Sequence, residues 1–186
     1  ISEYDMDIPS SLTAEEILIR SGNIGSIKIA QKVGLENFRD FLENLDLLNK
    51  IQFDIEEVGN PIPFKWGKCK LATSAYGHGI TTTPLQLAKA YAIIANGGYK
   101  IKPTLIKKEK NLKRGEQIIT KENSNKINGL LRKIVTSEQG TANLANIAGY
   151  EIAGKTGTAQ KSIKGKYSKK KINTFASIFP ISSPKY

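Results

Sequence analysis

Gly149-Tyr150-Glu151-Ile152-Ala153-Gly154-Lys155-Thr156-Gly157-Thr158-Ala159-Gln160 is the stretch on which the reading of this chain turns. Tyr150 and Ile152 favour extended backbone, and the run closes on a lysine, two threonines and a glycine. This is the composition of a strand edge that recognises an anion. The lysine supplies charge, the hydroxyls supply donors, and Gly157 lacks the side chain that would keep a peptide backbone from pairing with the strand. Such groups can hold a terminal carboxylate beside a scissile carbonyl. Strict alternation puts Lys155 and Gly157 on one face and Thr156 and Thr158 on the other. All four serve one site only if the strand is twisted and its edge borders a cleft.

A rival pattern overlaps the same residues. Gly149, four residues and Gly154-Lys155-Thr156 fit the phosphate-cradling loop G-x-x-x-x-G-K-[ST], whose mechanics need a buried strand before it and a helix directly after. Tyr-Glu-Ile-Ala favours a strand over a flexible cradle, and Gly157 with the lysine-rich tail beyond it argues against a helix opening at Thr156. An ordinary strand ending in a polar turn is the plain structural alternative. Upstream stands Ser21-Gly22-Asn23. In a locally extended segment its hydroxyl and carboxamide point the same way and face one cleft. Alone the triplet says little, since Asn23 also fits the start of the following helix.

Four motifs in fixed order carry more weight. They are Glu15-Glu16-Ile17-Leu18 running into Arg20-Ser21-Gly22-Asn23-Ile24-Gly25, then Ala75-Tyr76-Gly77-His78-Gly79-Ile80, Thr83-Pro84-Leu85-Gln86-Leu87-Ala88, and Gly154-Lys155-Thr156-Gly157-Thr158-Ala159. With these the chain resembles the penicillin-binding transpeptidases over nearly its whole length, and within them the class B enzymes of the septal, division type. The resemblance implies an α+β fold of the β-lactamase/transpeptidase kind, an antiparallel sheet with a helical subdomain, expected here to be incomplete at both ends.

It also implies a peptidoglycan D,D-transpeptidase, a penicillin target of septal cell-wall synthesis. A serine attacks the penultimate D-alanine carbonyl of a stem peptide, and a neighbouring peptide's amine resolves the acyl-enzyme. Ser21, Asn23 and Lys155 are the implied catalytic residues: Ser21 relays a proton, Asn23 orients the substrate amide, and Lys155 eases negative charge in the cleft. Thr156, Gly157 and Thr158 are the implied substrate-binding residues, the two threonines taking the terminal carboxylate. The Thr158 backbone N–H is the implied oxyanion donor. Implied partners are D-Ala-D-Ala stem peptides, β-lactams and divisome membrane proteins, at the periplasmic face of a bacterial inner membrane.

The family's nucleophile is a serine in S-x-x-K at the start of a buried helix ahead of S-x-N. Only twenty residues precede Ser21, and none forms that motif. Literal matches at Ser168 to Lys171 and Ser182 to Lys185 lie in a lysine run and beside Pro184, neither of which suits a buried helix start. The expectation is therefore that residues 1–186 are a fragment of one transpeptidase domain, without the S-x-x-K helix and the last sheet strands, and with a membrane anchor in the missing N-terminal part. Alone it is expected to neither crosslink nor take a covalent penicillin label. Two other classes fit as well: a non-catalytic division scaffold of the same fold, and a serine hydrolase of the β-lactamase or D,D-carboxypeptidase type.

Composition sets looser bounds. The 186 residues, 39% hydrophobic, suffice for one domain with a core and contain no membrane-spanning apolar run. A net charge of +11 raises nucleic acid as a partner, but the lysines are scattered, and the dense run from Lys161 to Lys171 lacks regularly interleaved aromatics. A solvated basic loop, or one facing an anionic polymer or lipid, fits it better. No nucleic-acid partner or cofactor is expected. One histidine and one cysteine cannot make a usual zinc site unaided, so no metal is expected either. His78, between Gly77 and Gly79, is read as part of a loop whose backbone geometry matters more than acid–base chemistry.

Periodicity and caps predict helices from Thr13 through Arg20, from Asn23 to Val33, from Glu36 to about Leu48, from Thr83-Pro84 to Gly97-Gly98, and from about Asn125 to Val135. In the third, Phe38, Phe41, Leu42, Leu45 and Leu48 share one face. In the fourth, Leu87, Ala88, Tyr91, Ile94 and Ala95 are the expected buried face. Residues Ile51 to Ile80 read as irregular. Tyr99 to Ile106 and Glu116 to Thr120 read as a hairpin, and Ile172 to Phe179 as an antiparallel neighbour of the lysine-threonine strand.

Overall fold

The computed structural model describes residues 1–55, 59–107, 114–163 and 166–186, excluding the side chains of 162, 163, 166 and 167. Helix α1 (Ala14–Arg20) opens where Thr13 and Glu16 cap each other. The Glu16 N–H donates to Thr13 Oγ1 at 3.2 Å and the Thr13 N–H to the Glu16 carboxylate at 2.7 Å. Helix α2 (Asn23–Val33) stops at Gly34, whose φ of 86° no branched residue adopts cheaply.

Helix α3 (Leu35–Asn44) ends ahead of the expected Leu48, because Asp46 turns into the left-handed region at φ 56°. Leu45 is buried just past the helix, whereas no residue of α3 itself is. Helix α4 (Lys68–Ala75) lies inside the region expected to be irregular. Its cap is Gly67, without a side-chain bond, and its first turn has no acidic residue, so the usual start signals are missing.

Helix α5 (Pro84–Ala95) starts as its sequence dictates, with a Thr83–Gln86 capping box and proline at the first position. Its deepest residues, however, are Gln86, Lys89, Ala90 and Ile93. The Gln86 amide donates to the carbonyls of Asp46 and Asn49 at 3.1 and 2.7 Å, and Lys89 pairs with the Asp46 carboxylate at 2.5 Å. These bonds to the turn after α3 set the rotation of the helix. Of the face expected to be buried, Tyr91, Ile94 and Ala95 pack partly buried against the core, whereas Leu87 and Ala88 line an open groove of about 1030 Å³ against the sheet.

Among the described residues the expected hairpin shows one bridge, Tyr99 to Gln117, and residues 108–113 between its arms lie outside them. Helix α6 (Lys121–Thr136) starts earlier than expected, at a Thr120 cap that accepts from the Asn123 N–H at 3.2 Å. A short 3₁₀ turn, Asn143–Ala145, leads to strands β1 (Ala153–Ile163) and β2 (Lys166–Ile178). The two pair antiparallel, Gly154 opposite Ser177 and Thr158 opposite Asn173. Lys161 and Lys169 to Lys171, expected in a loop, thus belong to strands, because the pairing continues well past Thr158.

One core fixes the geometry of the site. Leu131, Ile134 and Val135 of α6 pack with Ile19 of α1, Ala153 of β1 and Ile178 of β2. Ile134 and Val135 are wholly out of water, a burial worth about 2 kcal/mol each. Arg132 adds a 2.6 Å bond to the Ile152 carbonyl. Helix α6 therefore clamps the end of α1 beside the start of β1. A second apolar groove of about 540 Å³ lies between α1, α2 and α3, where Ile17, Phe38 and Phe41 line it. Among the described residues no helix is long and apolar enough to cross a membrane.

Candidate active site

Ser21 is not part of an extended segment, as the triplet had suggested. It ends α1 in the left-handed region, φ 59° and ψ 42°, and the Gly22 N–H reaches back to the Ile17 carbonyl at 2.8 Å. That closure needs a left-handed residue before Gly22, a place where serine costs about 1–2 kcal/mol relative to glycine. Asn23 then opens α2. The triplet is a tight corner between two helices, and it sends the Ser21 hydroxyl away from α1 toward β1.

There the hydroxyl meets Lys155. The two residues are 134 positions apart, and the lysine Nζ donates to Ser21 Oγ at 2.8 Å. The same Nζ reaches Thr141 Oγ1 at 3.4 Å and the Thr156 carbonyl at 3.1 Å. Burial pushes the Lys155 ammonium down from 10.5 to about 8. At pH 7 about one molecule in ten then carries a neutral amine, instead of about one in three thousand. A neutral amine can accept the Ser21 proton, while the charged form donates to the hydroxyl oxygen. A lysine so depressed beside a hydroxyl can exchange a proton with it near neutral pH.

Thr141 was not singled out by the sequence, although it joins both faces of the strand. The Thr156 hydroxyl donates to Thr141 Oγ1 at 2.8 Å, so Lys155 and Thr156, on opposite faces of β1, meet around its edge at one oxygen. That edge is unpaired among the described residues, since β1 pairs only with β2. Gly140 makes the approach possible. A Cβ there would lie 2.1 Å from the Ile134 carbonyl oxygen, so only glycine lets the chain fold back over the end of α6. The sole sequence signal was Gly140-Thr141 itself, too short to stand out.

Thr158 lies farther along β1 and is exposed. At Gly157 a Cβ would come 2.7 Å from Thr174 Oγ1 of β2, so the missing side chain first admits the neighbouring strand. The Asn23 carboxamide does not bond to Lys155. Its Nδ2 donates to the Ser2 carbonyl at 2.9 Å. His78 sits between Gly77 and Gly79, with φ of 90° and 76°, and its ring lies 5.0 Å from that of Tyr76. Beyond Gly154 the chain continues as strand with no helix at Thr156, which removes the phosphate-loop reading.

The chain has matches among known proteins. The penicillin binding protein transpeptidase domain matches residues 1–186. The probable peptidoglycan D,D-transpeptidase FtsI of Caulobacter vibrioides is 29% identical over 93% of this chain and 30% of its own length. Penicillin-binding protein PbpB of Mycolicibacterium smegmatis is 30% identical over 94% of the chain and 30% of its own. Penicillin binding protein 3 of Mycobacterium tuberculosis, in complex with ampicillin, superposes with a TM-score of 0.88 at 25% identity, covering all of this chain and 45% of that one. The chain belongs to the penicillin-binding protein transpeptidase family, with the class B proteins its relatives, and its helices and antiparallel pair have the penicillin-binding/β-lactamase fold. It spans about a third of the length of the curated relatives it matches.

Proposed function

We propose that this chain carries the substrate-binding and proton-relay half of a septal peptidoglycan D,D-transpeptidase acting through a serine acyl-enzyme. The observation that carries the reading is the 2.8 Å bond between Lys155 Nζ and Ser21 Oγ, made across 134 residues by a lysine whose charge burial has weakened. In the longer protein the nucleophilic serine and its lysine come from outside these residues. Acylation of that serine expels the terminal D-alanine as an amine, which takes a proton from Ser21. Ser21 recovers it from Lys155. In deacylation the incoming amine gives up its proton along the same route in reverse.

Asn23 orients the peptide. Its NH₂ gives one hydrogen to the Ser2 carbonyl, which leaves the second hydrogen and Oδ1 for a substrate amide. Thr156 and Thr158 hold the terminal carboxylate at the open edge of β1, with Gly157 between them. The Thr158 N–H serves as one oxyanion donor, a contribution of about 3 kcal/mol to the barrier. β-Lactams enter as mimics of the D-Ala-D-Ala end. The whole protein works with division proteins at the periplasmic face of an inner membrane, held by an anchor outside this chain.

Fluorescent-penicillin labelling of the full-length protein tests this. The wild type is expected to form a stable 1:1 adduct, and Lys155→Ala to form it at least about a hundredfold more slowly. Absence of an adduct in the wild type refutes the transpeptidase reading in favour of a scaffold. Rapid release of hydrolysed β-lactam points instead to a hydrolase. The 186-residue chain alone is expected to remain unlabelled.

A further inference from the structure

The start of α2 has no cap of its own. Gly22 stands at the N-cap without a side chain, and no acidic residue occupies the first turn. Its exposed amides are bound instead by Glu3, twenty residues earlier. One carboxylate oxygen accepts from the Asn23 N–H at 2.6 Å, and the other from the Ile24 N–H at 2.8 Å. The adjacent residue supplies the third bond, from the Asn23 side chain to the Ser2 carbonyl. Farther along the same segment, Arg20 grips the Asp5 carboxylate at 2.7 Å and the Asp7 carbonyl at 3.1 Å. The Arg20 guanidinium holds Asp5 below the usual carboxylate range. Residues 2–7 are thereby pinned across the corner that bears Ser21 and Asn23.

We propose that Glu3 is a positioning residue for the acyl-transfer site: its carboxylate fixes the backbone of Asn23, and Ser2 beside it fixes the carboxamide, so that its remaining amide groups are presented to the substrate. This rests on the transpeptidase reading given above. A bidentate carboxylate on two consecutive amides of a helix start is a charge-assisted contact that also meets the positive end of the helix dipole. It specifies orientation as well as position. Without it, Asn23 is free to rotate with a fraying first turn, and the Ser2 carbonyl loses its register with Nδ2.

Penicillin acylation kinetics of the full-length protein decide the matter. Glu3→Ala is expected to lower the second-order acylation rate constant by roughly ten- to a hundredfold, the scale of one charge-assisted contact. Glu3→Gln keeps one acceptor oxygen and is expected to recover part of the loss. The discriminating measurement is the cycle with Asn23→Ala: if Glu3 acts through Asn23, Glu3→Ala costs almost nothing further in that background. An equal loss in both backgrounds overturns the proposal, since it marks a general structural effect. A Glu3→Ala rate within about twofold of wild type overturns it as well. Failure of the wild type itself to acylate refutes the transpeptidase reading instead, so the two failures are distinguishable.

Discussion

Replacing Lys155 by methionine keeps the length of the side chain and removes its proton, which isolates what burial does to the charge. The fold lowers this lysine from 10.5 to about 8 through desolvation. At about 1.4 kcal/mol per tenfold change in proton affinity, that depression is equivalent to about 3 kcal/mol. Lys155 still touches water at the cleft edge, and solvent screening reduces the figure to about 1.5 kcal/mol. Below pH 8 the folded and unfolded chains both hold the proton, so the folded state bears the whole penalty. As pH rises from about 8 toward 10.5, the folded chain releases its proton first and the unfolded chain binds more protons, so stability rises with pH. The methionine variant has no such term. Urea unfolding of the transpeptidase domain at a series of pH values from 7 to 10.5 is expected to show the wild-type stability gaining about 1.5 kcal/mol relative to the variant across that window. A difference that stays flat refutes the assignment of a depressed lysine, and with it the relay poised near neutral pH. The acylation rate has to fall over the same pH range, because in that step the charged amine is the form that returns a proton to Ser21.

Three further outcomes follow from the corner and the loop that frame this lysine. Gly140→Ala drives a methyl into the Ile134 carbonyl, 2.1 Å from the ideal Cβ, and is expected to destabilise the domain by about 2 kcal/mol or more; an unchanged denaturation midpoint contradicts it. Ser21→Gly relieves the left-handed strain that Ser21→Ala retains, so the glycine variant is expected to be about 1 kcal/mol more stable than the alanine variant while both acylate slowly; equal stabilities refute the strain argument. Thr141→Val removes the oxygen shared by Lys155 and Thr156 and is expected to slow acylation by roughly tenfold at little cost in melting temperature, with recovery in Thr141→Ser. A parallel fall in melting temperature for Thr141→Val points to structural damage instead.

Particular residues show how far the sequence could be read. Thr13 with Glu16, and Thr83 with Pro84 and Gln86, announce their helices because a cap is a bond between neighbours in the chain. The strand through Lys155 was legible for the same reason, since side-chain alternation is local. Helix α4 passed unseen because its first turn lacks these signals. On α5 the pattern picked out Tyr91, Ile94 and Ala95, which do pack on the core, but it could not reveal that Gln86 and Lys89 lie deepest, anchored to the turn at Asp46.

The chemistry divides along the same line. Sequence alone determined which groups the site has available: a lysine and two threonines on one strand, and a serine and an asparagine at a distant helix junction. Tertiary structure decided how they meet. The left-handed backbone of Ser21, the return of Thr141 over Gly140, and the reach of Glu3 to the amides of α2 all depend on how α1, α6 and β1 pack. Burial in that packing, which no local pattern encodes, is what lowers the charge on Lys155.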